Sequence, residues 1–90
     1  MDTSMQRSEI LDKAKELVNG DRAKDYGDAY LNHKRIADLW SVVLEKEISV
    51  SQVYLCMMMV KASRLMHGKS LDQWIDICGY ASLGGENEDC

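Results

Sequence analysis

Proline and phenylalanine are absent from the sequence, and β-branched residues rarely occur in runs. Leu, Met, Ala, Lys, Glu and Asp are plentiful instead, a composition that favours helices on propensity grounds. No apolar stretch approaches the ~20 residues needed to cross a membrane. The polar start, Met1-Asp2-Thr3-Ser4, carries no signal-peptide pattern. No Lys/Arg stripe is present, so binding of DNA or RNA by bulk electrostatics is not expected. The net charge of −4 is too small to suggest nucleic-acid mimicry. Cys56, Cys78 and Cys90 are odd in number and lack metal-type spacing. Cys56 and Cys78 sit in apolar runs, where a free thiol behaves as a small hydrophobe. A reducing, cytosolic setting is the expectation. Neither a Ser-His-Asp or Cys-His arrangement nor a phosphate-binding glycine loop is found, which leaves nucleophilic catalysis without support.

Ninety residues make a single small domain, 1–90. A chain of this size buries only about 60–65% of its unfolded surface, so its stability margin is thin. Small helical domains often gain the missing burial by self-association, and a homo-oligomer is the default expectation.

The pattern predicts four helices in a compact all-α domain. The first starts at about Ser4 or Ser8 and runs to Val18, with Ile10, Leu11, Ala14, Leu17 and Val18 on one face. Asn19-Gly20 stops it, with Gly20 expected as a left-handed cap. A second helix spans about 28–45, capped by Asp28, with Tyr30, Ile36, Ala37, Trp40, Val43 and Leu44 as its apolar stripe. Ser49-Val50-Ser51-Gln52 has the capping-box form and opens a third helix over about 49–66. That helix is apolar nearly all round, which suits a central position or one shared with a partner subunit. Ser70-Leu71-Asp72-Gln73 repeats the capping-box form and starts a fourth helix over about 70–83. Gly84-Gly85 is expected to end it, with a fraying acidic tail over 84–90.

Two segments mix charge, an aromatic and a glycine at predicted helix edges. The first is Arg22-Ala23-Lys24-Asp25-Tyr26-Gly27-Asp28, and the second is Asp72-Gln73-Trp74-Ile75-Asp76-Ile77-Cys78-Gly79-Tyr80. Asp72 and Asp76 lie four apart, so both carboxylates leave one helix face and together suit a hard cation such as Mg²⁺. Asp72 alone also suits the helix dipole. Lys61 and Arg64, three apart on the third helix, either pair with those carboxylates (Arg64–Asp72 or Lys61–Asp76) or face a phosphate. Arg22, Lys24, Tyr26 and Gly27 form either an anion-binding connector or a solvated turn. Asn32 is a candidate polar contact for a base or sugar edge. His33 is expected to pack at a helix surface rather than bind metal. Trp40, Trp74, Tyr54 and Tyr80 read as core or interface in preference to a stacking platform.

The chain resembles small phage and prophage helical proteins. The likeness rests on Arg22…Tyr26-Gly27-Asp28, Ile36-Ala37-Asp38-Leu39-Trp40 and Asp72-x-Trp74-x-Asp76-Ile77-x-Gly79-Tyr80-Ala81, and it covers about Ile10 to Leu83. More distantly it is similar to phage nucleotide-modification-associated domains and to MazG-like nucleotide pyrophosphohydrolases. That resemblance implies a helical dimer or tetramer with a nucleotide site on helix faces and Mg²⁺ on acidic side chains. MazG-type enzymes carry Glu-Glu-x-x-Glu followed by Glu-x-x-Asp. The first motif has no counterpart here, and Asp72/Asp76 stand in for the second at a different spacing. The leading expectation is a MazG-like protein in the host cytosol that binds a nucleotide-type phosphate ligand. Asp72 and Asp76 hold Mg²⁺, while Arg22, Lys24, Tyr26, Asn32, Lys61 and Arg64 contact the ligand, and the protein is a Mg-dependent nucleotide pyrophosphohydrolase only if a partner subunit or a metal completes the site. The alternative is a non-enzymatic phage protein that sequesters a signalling nucleotide or inhibits a host protein.

Overall fold

A computed structural model describes residues 5–20 and 28–88. They form four α-helices: α1 (Arg7–Asn19), α2 (Ala29–Leu44), α3 (Val50–His67) and α4 (Leu71–Glu86). The described residues adopt the predicted all-α, four-helix architecture.

Local chemistry accounts for most helix ends. Gln6 and Glu9 close a reciprocal box around the start of α1. Asp28 caps α2, its Oδ1 accepting the Leu31 amide at 3.1 Å. At α3 the expected box forms: Ser49 Oγ accepts the Gln52 amide at 3.1 Å, and Gln52 Oε1 accepts the Ser49 amide at 2.8 Å. Each satisfies amides that have no partner within the helix. Ser41 ties the end of α2 to the entry of α3, donating to the Ala37 carbonyl at 2.7 Å and accepting the Ile48 amide at 2.9 Å.

Three ends differ from the sequence reading. Gly20 is not left-handed (φ −95°). Glycine is needed there because a Cβ would collide with the Glu16 carbonyl oxygen, which accepts the Gly20 amide at 2.7 Å. The left-handed cap falls instead on Glu45 at the end of α2, with φ 53°. At α4, Ser70 occupies the cap position without a side-chain hydrogen bond, so no box closes with Gln73. Gly84-Gly85 does not stop α4, which continues to Glu86. Gly84 sits against Tyr54, where a Cβ would lie 3.9 Å from its ring, and Asn87 Nδ2 caps the Leu83 carbonyl at 2.9 Å. Packing and this cap outweigh the ~1 kcal/mol that each glycine costs a helix.

Helices α3 and α4 form the central pair, α1 lies along α4, and α2 lies along α3. Gly79 sets the α1–α4 approach, since a Cβ there would come within 3.3 Å of Val18 Cγ1. Among the described residues the buried apolar side chains are Ala14, Ala37, Val53 and Tyr54. The molecule is elongated, 51 × 29 × 25 Å. Only Ala37 of the predicted α2 stripe is buried; Ile36 and Trp40 are half-buried, while Tyr30, Val43 and Leu44 are exposed. Trp74, read from the sequence as core or interface, is exposed and so is not part of this chain's own core, and Cys56, in its apolar run, is exposed too. Among the described residues, no helix is long and apolar enough to cross a membrane.

Candidate functional site

The seam between α3 and α4 gathers most of the predicted site residues within the described regions. Asp72, Asp76 and Tyr80 recur every four residues on α4 and so form one stripe. On α3, Tyr54 and Lys61 face it seven residues apart. Midway along the seam, Lys61 Nζ meets Asp76 Oδ2 at 3.0 Å, with the two side chains 14% and 20% exposed. Of the two ion pairs suggested by the sequence, this one forms. Arg64 and Asp72 remain exposed at the end of the seam nearest the α3–α4 turn, and they make no ion pair with each other. An exposed pair would gain little, because water screens it and both side chains lose rotamer freedom.

Further along, the seam closes on aromatic rings. His33 stands 4.8 Å, centroid to centroid, from Tyr54 and 5.7 Å from Tyr80, edge-on to the latter. Its Nδ1–H donates to the Ala29 carbonyl at 2.7 Å, so in the neutral ring Nε2 is the acceptor. Tyr54 is 1% exposed, and its hydroxyl has no hydrogen-bond partner among the described residues. Burial raises the Tyr54 pKa above its usual value, and the nearby charges of Asp28 and Glu86 push the same way. The three-ring cluster was not visible in the sequence as a unit. His33 and Tyr80 were seen singly, and only the packing of α2 and α4 on α3 unites them. Asn32, beside His33, is half-buried in the first turn of α2. Gln73, also half-buried, has an Oε1 without a hydrogen-bond partner among the described residues. Arg22, Lys24 and Tyr26 lie outside the described residues.

No group of three or more His, Cys, Asp or Glu side chains among the described residues is placed to hold a metal. Asp72 and Asp76 remain a two-carboxylate set, and one Asp76 oxygen is engaged by Lys61. Mg²⁺ held through one or two carboxylates and a ligand's own phosphates is compatible with that number. A separate cleft of about 490 Å³ lies between α1, the start of α2 and the end of α4. Leu11, Ala14 and Val18 line it together with the charged Lys15, Asp28 and Glu86. None of the predicted site residues within the described regions lines it. The seam, in contrast, combines a half-buried ion pair with an exposed cation, Arg64, and an exposed carboxylate, Asp72.

A family model, Domain of unknown function DUF6378, matches residues 9–88. The chain belongs to this family. Two phage relatives share much of its length. The Gene 55 protein of Mycobacterium phage L5 is 43% identical over 76 residues, covering 82% of this chain and 49% of the relative. The Gene 55 protein of Mycobacterium phage D29 is 42% identical over 73 residues, covering 80% of this chain and 48% of the relative. The chain therefore spans about half the length of these curated relatives. No solved structure matches.

Proposed function

We propose that this phage-family domain is a MazG-like helical binding protein that takes a nucleotide-type phosphate ligand at the open end of the α3–α4 seam. The observation that carries the reading is the half-buried Lys61–Asp76 pair with Arg64 and Asp72 left exposed beside it. Desolvating an ion pair is a poor way to gain stability, since apolar residues of similar volume serve as well or better. A polarised seam with an unpaired cation and an unpaired carboxylate at its mouth suits a ligand bearing both phosphate and metal. Arg64 meets the phosphate oxygens, for which its planar fork is shaped. Lys61 adds positive charge behind it, and Asp72, with the remaining Asp76 oxygen, holds Mg²⁺ that arrives with the phosphates. Asn32 is the candidate polar contact to a base or sugar edge, whereas the Tyr54 ring, 1% exposed, is sealed in the packing of the three helices. Arg22, Lys24 and Tyr26 belong to the same proposed ligand-binding set. Binding is the core of this reading. Hydrolysis would need further carboxylates from another subunit.

Calorimetric titration of the protein with each deoxynucleoside triphosphate and Mg²⁺ tests it. Arg64→Ala and Asp72→Asn are suitable variants, because both side chains are exposed and the fold does not depend on them. The expected result is at least ~10-fold weaker binding for Arg64→Ala, the loss of about one good charge-assisted contact. Asp72→Asn should abolish the Mg²⁺ dependence. A wild-type protein that binds no nucleotide, with or without Mg²⁺, overturns the proposal. Pyrophosphate release that Asp72→Asn abolishes would extend binding to hydrolysis.

A further inference from the structure

Four charged side chains stand along the α3–α4 seam between its middle and the turn. Lys61 and Arg64 lie three apart on α3, and Asp72 and Asp76 lie four apart on α4. Two are positive and two negative, so the set as a whole is neutral. Lys61 Nζ sits 3.0 Å from Asp76 Oδ2, and neither residue has a second ion-pair partner among the described residues.

That arrangement decides which ligands the seam can hold. A bare divalent cation placed between Asp72 and Asp76 gains carboxylate oxygens, the hard ligands it prefers. It also has to share the Asp76 carboxylate with the Lys61 ammonium, which repels it across the width of one carboxyl group. Lys61 and Asp76 are only 14% and 20% exposed, so water screens this repulsion less than it would at an open surface. Lys61 does not withdraw freely, because Asp76 would then be a half-buried carboxylate with no counter-ion. A phosphate without metal faces the converse problem: two cations attract it and two carboxylates repel it. A divalent cation already bound to phosphate oxygens brings both signs, and each meets its opposite. Discrimination of this kind comes from repelling the wrong ligand as much as from attracting the right one.

We infer that Lys61 closes the Asp72–Asp76 pair to bare divalent cations, and that the negative charge of a phosphate arriving with the metal relieves the closure. Lys61 is then the residue that makes the seam selective for a metal–phosphate complex over either component alone. The inference rests on the ligand reading above, and its test uses the metal alone so that the two can fail separately.

Mn²⁺ is the probe, since it takes the same oxygen ligands as Mg²⁺ and its free form is counted by paramagnetic resonance. The full chain is titrated without nucleotide, and circular dichroism confirms that each variant is helical. The wild type should bind Mn²⁺ only at millimolar concentrations. Lys61→Met and Lys61→Gln should each bind it at least ~10-fold tighter, because the repelling charge is gone. Adding Asp72→Asn to Lys61→Gln should remove that gain. Lys61→Arg keeps the charge and should behave as the wild type does. A lysine that only held the helices together would give the opposite sign, since its loss loosens the site and weakens metal binding. Two results overturn the inference. One is that the neutral variants bind Mn²⁺ no tighter than the wild type. The other needs no Lys61 variant: a wild type that already binds bare Mn²⁺ at micromolar concentrations and loses it in Asp72→Asn. A gain in Lys61→Gln supports the closure even if the wild type takes up no nucleotide, an outcome that would sink the ligand reading alone.

Discussion

At the residue scale, the Lys61–Asp76 pair and the Tyr54 hydroxyl are the two features that apolar packing alone does not require. Replacing only Lys61 with methionine strands the half-buried Asp76 carboxylate, and urea unfolding should show a loss of about 1–3 kcal/mol. Replacing both, as Lys61→Met with Asp76→Leu, should restore most of that loss, because two apolar partners need no solvation. Failure of the double variant to recover would mean that the pair contributes more than its own desolvation balance. Tyr54→Phe removes a hydroxyl with no partner among the described residues, so it should be neutral or stabilise by up to about 1 kcal/mol. The same substitution has a pH signature. Because the folded pKa of Tyr54 is raised, the unfolded chain loses that proton first as pH rises through about 10. The unfolded state then binds fewer protons than the native one, so stability falls with increasing pH. Below pH 10 this group contributes no slope. The difference between wild type and Tyr54→Phe in denaturation midpoint should therefore widen only in the alkaline range, and a widening at neutral pH would contradict the assignment.

At the element scale, helix starts were more legible than helix ends. Asp28 and the Ser49/Gln52 box announce α2 and α3 because a short polar side chain before an apolar run has one evident use. Gly84-Gly85 misleads because a glycine's helix penalty is modest, and the contact of Gly84 with Tyr54 cannot be read from local sequence. Ser70 and Gln73 have the spacing of a capping box, yet the reciprocal hydrogen bonds do not form; spacing permits that geometry without compelling it. Glu45 was equally hidden, as nothing local says that a glutamate will take φ 53°. That position carries a Cβ strain which glycine lacks. Glu45→Gly should raise stability by about 0.5–1 kcal/mol in thermal unfolding, and a loss instead would show that the Glu45 side chain contributes more than its backbone costs.

At the scale of the whole molecule, the apolar pattern located helix faces but not what covers them. Val43 and Leu44 continue the spacing of Ala37 and Trp40, and periodicity cannot distinguish a face packed on its own chain from one left outside. The seam was legible in part: Lys61 and Asp76 were predicted partners, and antiparallel neighbours joined by a short turn bring them together. The clustering of His33 with Tyr54 and Tyr80 was not, since it depends on how three helices pack. The proposed ligand site lies at the end of that seam nearest the α3–α4 turn. Amide chemical shifts of the isotopically labelled protein, followed while Mg²⁺ and a nucleoside triphosphate are added, test it most directly. Saturable shifts are expected, concentrated on Lys61 to Arg64 of α3 and Leu71 to Asp76 of α4. Unchanged spectra, or shifts confined to the Leu11–Val18 cleft, would contradict it.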